Sequence, residues 1–430
     1  MTTLIERDSQ VVWHPFTQHQ TAGAPLPVAS AQGSLLKLSD GSELIDAISS
    51  WWTSLFGHGN PTIVEAIQKQ AATLDHVIYA GCTHEPAVAT AEKLIKFSNF
   101  KNGKVFFSDN GSTAVEVALK ATTQYWQNVD EPQRTEFITF SNAYHGDTIG
   151  AMSAGDPGDF GRPFKKLLFP THRANLPLID DDPDVSQKSL SDLHALFETL
   201  GDRLAGIIIE PMVQGAGGMQ MTTPETLTNL IKLTHKHGGL VIADEVMTGF
   251  GRTGKLFAHQ HQGLQPDIFC VAKGLTGGTL PLAATVFRDG LFEAFLDPRK
   301  ERAFLHGHSF TANPIACAAA QASLSLMSEP EFAADLKRIE SKTRELLYKM
   351  AKHPNVSQSR QLGTIGAIKL AGEGGYFAGN KLDIPALARR EGVLLRPLGN
   401  VLYAMPPLST TDEQLEKIYG VIELCLHKWS

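Results

Sequence analysis

Lys273 closes the apolar run Asp267-Ile-Phe-Cys-Val-Ala and opens the glycine-rich stretch Gly-Leu-Thr-Gly-Gly at 274–278. Lysine is almost never fully buried unless it is paired. Burial lowers its pKa towards the range where the neutral amine is a nucleophile. Such an amine can form a Schiff base with a carbonyl. A lysine at a strand end can equally snorkel its ammonium into water. Asp244 ends a second apolar run, Leu240-Val-Ile-Ala, and offers a carboxylate at a comparable place. Gly111 and Ser112 stand between an apolar run, Lys104-Val-Phe-Phe-Ser, and a stretch with helical spacing from Ala114. A strand handing over to a helix N-terminus presents backbone N–H groups and a positive dipole end to an anion. The same two residues can serve only as a helix cap. Tyr144 sits in the polar loop Asn142-Ala-Tyr-His-Gly-Asp, where an exposed aromatic can stack on a flat ring. Trp51 and Trp52 lie in a Ser/Gly-rich loop and read either as a core anchor at a domain junction or as an aromatic wall of a ligand pocket.

The elements that must position these groups follow from periodicity. Residues 1–50 read as an arm and a small antiparallel lead-in, with strands at 34–38 and 43–47 around the turn Ser39-Asp-Gly-Ser. Pro61 and Pro86 open helices, as proline does at a first helical position. Residues 104–108 and 136–140 are predicted strands, and 153–189 read as a surface excursion rich in Asp, Pro and Gly. Strands at 204–210, ending in Glu210, and 240–245 flank a helix capped at Thr223, with Leu227, Leu230, Ile231 and Thr234 on one face. The lysine strand, a strand at 281–287 and a small-residue helix from Asn313-Pro314 follow. Near-continuous apolar strands alternating with helices predict a parallel sheet covered on both faces. In such sheets ligands bind beyond the carboxyl ends of the strands. From about residue 330 the pattern changes to charged helices and short strands, an α+β unit ending in a helix with capping-box spacing between Thr411 and Gln414. The expected division is 1–55 as arm and hairpin belonging to the small domain, 56–328 as the large domain and 329–430 as the C-terminal small domain.

Composition sets the bounds. The 430 residues carry 38 basic and 45 acidic side chains, a net charge of −7, which gives no reason to expect nucleic acid or an anionic membrane as partner. Four widely spaced cysteines, Cys82, Cys270, Cys317 and Cys425, fit reduced thiols in a cytoplasmic protein. The charged N-terminus lacks the apolar core of a signal peptide, and no run reaches the ~18 apolar residues of a membrane span. The histidines form no metal-ligand grouping, so no metal is expected.

An anion cradle, a ring stack, a buried acid and a lysine on one sheet rim together match what pyridoxal phosphate requires. The phosphate takes backbone donors, the aldehyde takes Lys273, and the pyridine nitrogen takes the carboxylate of Asp244. Asp244-Glu-Val-Met-Thr-Gly-Phe-Gly-Arg-Thr-Gly followed by Pro266-Asp-Ile-Phe-Cys-Val-Ala-Lys-Gly-Leu-Thr-Gly-Gly closely resembles the signature of the class III, fold-type I pyridoxal-phosphate aminotransferases. Trp13-His-Pro-Phe, Ser50-Trp-Trp, Tyr144-His-Gly-Asp-Thr, Val213-Gln-Gly-Ala-Gly-Gly-Met, Leu394-Leu-Arg-Pro-Leu-Gly and Ala404-Met-Pro-Pro are similar to the 7,8-diaminopelargonic acid synthase branch of that family.

The resemblance covers nearly the whole chain. It implies a large domain with a mostly parallel, helix-covered sheet, a smaller α+β domain, and a cytoplasmic homodimer with shared active sites. It implies amination of 8-amino-7-oxononanoate to 7,8-diaminononanoate in biotin biosynthesis, in two half-reactions. Lys273 would carry the cofactor and move the proton. Asp244 would pair with the pyridinium. Gly111 and Ser112 would hold the phosphate, and His308 and Ser309 would reach it from the second subunit. Phe16, Trp51, Trp52, Tyr144 and Gly307 match substrate-contact positions, and Arg396 matches the residue that takes the substrate carboxylate. Phe16 and His308-Ser309 depart from the Tyr and Pro-Thr that S-adenosylmethionine-using members carry, so the donor is S-adenosylmethionine or, alternatively, lysine. Other class III enzymes acting on ornithine, 4-aminobutyrate or diamines, and aminomutases of the glutamate-semialdehyde type, share the lysine loop.

Overall fold

The computed structural model describes residues 3–261, 265–372 and 382–429. A seven-stranded sheet runs in the order Lys104–Ser108, Ala283–Phe287, Ile268–Val271, Leu240–Asp244, Leu204–Ile209, Glu136–Phe140 and His172–Ala174. Neighbours are parallel except around Ala283–Phe287, which is antiparallel to both of its partners. Every residue of Leu204–Ile209, Leu240–Asp244 and Ile268–Val271 is buried, as strands covered on both faces require. Alternate side chains serve opposite layers. Ile268 and Cys270 share a cluster with Ala114, Val115 and Ala118 of the helix Gly111–Asn128. Phe269 and Val271 share another with Ala316, Cys317 and Ala320 of the helix Pro314–Leu326. The alanines of that second helix let it lie close to the helices Pro61–Ala71 and Glu85–Ser98.

The hairpin read at the N-terminus is present as Leu35–Leu38 against Glu43–Asp46. Val28–Gln32 extends it on one side, and Val393–Leu394 adds a parallel strand on the other. The hairpin therefore shares its sheet with the C-terminal segment, and Ile45 and Ala47 share a core with Leu347, Ile368 and Ile418. A second sheet of three antiparallel strands, Val356–Leu362, Ile365–Leu370 and Val401–Ala404, packs with the helices Pro330–Met350 and Asp412–Lys428. The Thr411–Gln414 capping box is made on both sides.

Three segments differ from the sequence reading. The helix Leu4–Val11 stands in the expected arm, started by a Thr3–Glu6 capping box. It buries no residue, so it lacks the apolar face by which periodicity finds helices. The stretch 153–189 is more than an excursion. It supplies the sheet's edge strand His172–Ala174 and the start of the helix Pro183–Leu200. Three residues are too few to show alternation, and the helix opens in an Asp-Pro run whose Asp182 side chain caps Asp184 N–H. Val356–Leu362 is too polar to read as a strand, yet it pairs along Ile365–Leu370.

Arg252 ties these parts together. It is 2% exposed, and its Nη1 donates to the Pro406 carbonyl at 2.9 Å while Nη2 reaches the Ser54 carbonyl at 3.4 Å. Burial pushes its pKa down to about 10, against the pull of Asp46. Methionine matches the stem but donates nothing, leaving two buried carbonyls unpaired. Arg252→Met is therefore expected to lower the unfolding free energy in urea by about 1–3 kcal/mol.

Candidate active site

The carboxyl ends of the central strands meet at a cavity of about 750 Å³. Asp244 is the last residue of its strand and lies beside Cys270 in parallel register, and Lys273 follows three residues later on the neighbouring chain segment. Asp244 is 4% exposed. Its Oδ1 accepts from Val246 N–H at 3.0 Å, and its Oδ2 meets His145 Nδ1 at 2.7 Å. His145 is buried as well, and its Nε2 finds no partner among the described residues.

Glu210 stands just beyond the strand Leu204–Ile209 and lines the same cavity. Its two carboxyl oxygens accept from Tyr144 N–H at 3.0 Å and Gly215 N–H at 2.9 Å. Burial pushes its pKa up to about 7. His145 and the two amides oppose that shift, while the nearby Asp244 adds to it. Lys273 adopts φ 45°, a conformation sterically disfavoured for a residue with a Cβ. Its Nζ lies 5.3 Å from the centre of the Trp52 ring. Burial lowers the lysine's pKa, and Asp244 and Glu210 restrain the shift.

The helix Gly111–Asn128 begins at the same cavity, capped by the Asn110 side chain on Thr113 N–H. Ser112 Oγ lies 2.7 Å from Thr148 Oγ1 and accepts from Thr148 N–H at 3.0 Å. A Cβ on Gly111 would come within 2.6 Å of Val246 Cγ1, so glycine lets the helix start close to the loop after Asp244. Tyr144 lines the cavity as well. Gly278, in the lysine loop at φ +86°, packs its Cα against the Thr53–Ser54 peptide, where a Cβ would overlap backbone. The loop after the tryptophans and the lysine loop are thus held in direct contact, which is also seen in Leu55 N–H donating to the Gly277 carbonyl at 3.3 Å.

Of the residues singled out in the sequence, Lys273, Asp244, Gly111, Ser112, Tyr144 and Trp52 line this one cavity. Phe16, Trp51 and Arg396 form an adjacent cluster. The Arg396 guanidinium lies 4.5 Å from the centre of the Trp51 ring, and Phe16 meets the same ring edge-on at 5.3 Å. Gly307, His308 and Ser309 are not brought to the cavity within one chain. They lie on a loop where Gly307 and Ser309 are exposed and His308 N–H is held by Thr311 Oγ1 at 3.0 Å. Sequence reasoning passed over Glu210, His145 and Thr148. Glu210 showed only as a polar residue ending an apolar strand, the same signal that picked out Asp244.

The family description Aminotransferase class-III matches residues 16–426. The chain belongs to the class III aminotransferases. An adenosylmethionine-8-amino-7-oxononanoate aminotransferase of Synechococcus elongatus is 49% identical to it, over 96% of this chain and 97% of its own. The Geobacter sulfurreducens protein of that name is 37% identical over 99% and 97%. Among solved structures, the Methanocaldococcus jannaschii protein of that name superposes with a TM-score of 0.90 at 32% identity, covering 98% of each chain. An amine transaminase from an uncultivated Pseudomonas species, solved in its PLP-bound form, gives 0.91 at 30% identity over 97% and 99%. The anticipated α/β fold-type I architecture is the one found.

The aminotransferase cavity fits pyridoxal 5'-phosphate in its donor set. It has a helix N-terminus with a cradle that only glycine permits, a buried carboxylate, and an amine of lowered basicity. Glu210 adds a pH dependence of its own. Its folded pKa lies above the ordinary carboxyl value, so its contribution to stability is complete below about pH 4.5 and lost as pH rises through about 7. The cofactor-free aminotransferase is expected to lose about 3 kcal/mol between those limits. Glu210→Gln should flatten that slope, as measured by urea unfolding at pH 5 and pH 8.

Proposed function

We propose that this aminotransferase converts 8-amino-7-oxononanoate to 7,8-diaminononanoate in biotin biosynthesis, with pyridoxal 5'-phosphate as cofactor and S-adenosylmethionine as amino donor. The observation that carries the reading is 49% identity, along 96% of the chain, with a relative named for this reaction. The geometry supports it at Arg396, whose guanidinium stands on Trp51 beside the lysine cavity, as a monoanionic chain with its carboxylate at the far end requires. Lysine as donor is the second reading, favoured by Phe16, which offers the Trp51 wall a ring edge without a hydroxyl.

When bound, the cofactor supplies an aldehyde for primary amines and an electron sink. Gly111 and Ser112 would hold its phosphate with the helix N-terminus, helped by the partner subunit's His308 and Ser309. Asp244 would keep the ring nitrogen protonated, steadied by His145 on its other oxygen. Tyr144 would cover the ring. Lys273 Nζ would bind the aldehyde and, once released, move the proton between the two carbons that exchange the amine. Its lowered basicity suits a base that must be neutral for part of the cycle. Trp52 and Trp51 would exclude water along the path to Arg396.

The reading includes a cytoplasmic homodimer with shared sites. Leu305 and Phe310, 71% and 60% exposed, flank the loop that would cross to the partner. No helix among the described residues is long and apolar enough to cross a membrane. It also includes the division of the chain at 56 and 329, supported by the sheet that the N-terminal hairpin shares with Val393–Leu394.

The deciding experiment measures diaminononanoate formation with S-adenosylmethionine and with lysine side by side. Turnover with S-adenosylmethionine supports the proposal, and turnover with lysine alone overturns the donor. Lys273→Ala should be colourless as purified, with its rate down on the order of 10³-fold or more. Arg396→Met should raise the KM for 8-amino-7-oxononanoate by roughly 10- to 100-fold, the loss of a charge-assisted pair, with a smaller effect on kcat.

A further inference from the structure

Four consecutive residues with side chains, Ser49, Ser50, Trp51 and Trp52, have φ of 49°, 46°, 71° and 71°. A left-handed turn is sterically disfavoured for each of them and persists only where the surroundings impose it. The surroundings here centre on Asp46, the last residue of the strand Glu43–Asp46 and fully buried. Its Oδ1 accepts from Ser50 N–H at 2.9 Å and, more weakly, from Ile48 N–H at 3.4 Å. Its Oδ2 accepts from Ser50 Oγ at 2.7 Å and meets His58 Nε2 at 2.9 Å. His58 is fixed in turn by two backbone bonds with Gly33. Two further bonds seat the turn. Ser49 Oγ donates to the Met405 carbonyl at 2.7 Å, and Trp52 Nε1 donates to Tyr403 Oη at 3.0 Å.

Neither Asp46 nor His58 lines the cavity, yet the turn they hold reaches both the lysine cavity, through Trp52, and the adjacent Arg396 cluster, through Trp51. Trp52 stands over Lys273 Nζ, and Trp51 stands under the Arg396 guanidinium. The left-handed backbone is what sends two adjacent tryptophans to these two cations. An extended backbone would point them to opposite faces.

We propose that Asp46, with His58, is a positioning residue for substrate recognition: it clamps the Ser49–Trp52 turn and so fixes the reach between the amine at Lys273 and the carboxylate grip at Arg396. The inference rests on the roles proposed above for those two cations. The clamp selects acceptors by chain length, because one rigid turn sets both contact points.

The test combines hydrogen exchange with kinetics on the full-length, cofactor-loaded enzyme. Asp46→Asn keeps the shape but gives up the charge and one acceptor. The segment 49–54 should exchange about tenfold faster while peptides from the seven-stranded sheet stay unchanged, and the KM for 8-amino-7-oxononanoate should rise about tenfold. Asp46→Asn/Ser50→Gly should recover part of both, since glycine enters the left-handed region without steric cost. Unchanged exchange at 49–54, faster exchange everywhere, or a normal KM with a loosened turn each overturns the proposal. So does a failure of the glycine variant to recover either quantity. If Asp46→Asn does not fold, His58→Leu, which has no donor, removes one contact from the carboxylate and must raise both quantities about threefold, or the clamp is refuted. A wild-type enzyme inactive on 8-amino-7-oxononanoate would sink the functional reading instead, and the exchange measurements would still decide whether Asp46 holds the turn.

Discussion

The structure depends on a shared desolvation. Asp244, Glu210 and His145 are buried on one rim with Lys273 partly buried beside them, and the proton affinities of Glu210 and Lys273 answer to their neighbours. A carboxylate or an ammonium taken out of water alone is very costly. Here each is offset by a neighbour or by backbone donors: Asp244 by His145 and Val246 N–H, Glu210 by two amides, Lys273 by the two carboxylates. The compensation is incomplete, and the remainder appears as displaced proton affinities. Glu210 holds its proton to about pH 7, and Lys273 gives its proton up more readily than a surface lysine.

That rim exists because the sheet is parallel and covered on both faces. Parallel strands bring their carboxyl ends to one side, so residues far apart in the chain, from 210 to 273, arrive within one cavity. The surrounding loops are then drawn in by backbone contacts that tolerate little change. Gly278 against Thr53–Ser54 and Gly111 against Val246 are both approaches that a methyl group would block. The left-handed turn at Ser49–Trp52 is the opposite case, where residues with side chains accept a conformation costing roughly 1–2 kcal/mol each. That cost is offset by hydrogen bonds that converge on a single carboxylate and by the burial of Trp52.

The two kinds of site residue were unequally legible. Lys273, Asp244 and the Gly111–Ser112 junction could be found because a polar or glycine residue interrupts a strongly apolar run, and that break marks a strand end. Glu210 carries the same mark, but nothing in its own segment says that it will lie against Tyr144 and Asp244. The short strand His172–Ala174 and the polar strand Val356–Leu362 were hidden for a related reason. Their pairing is imposed by neighbours, and their own side chains carry little of the period-two signal.

By itself the sequence determined the strongly apolar strands and the capped helices between them, the family, and the residue types available at the strand ends, because hydrophobic periodicity and local caps are written in adjacent residues. Only the tertiary structure decided which of those residues share a dielectric environment. Proton affinities, the split of the substrate-contact set into a lysine cavity and an Arg396–Trp51 cluster, and the handedness of the tryptophan turn all depend on groups far apart in the chain. Burial and distance act through space, and no run of neighbouring residues records them.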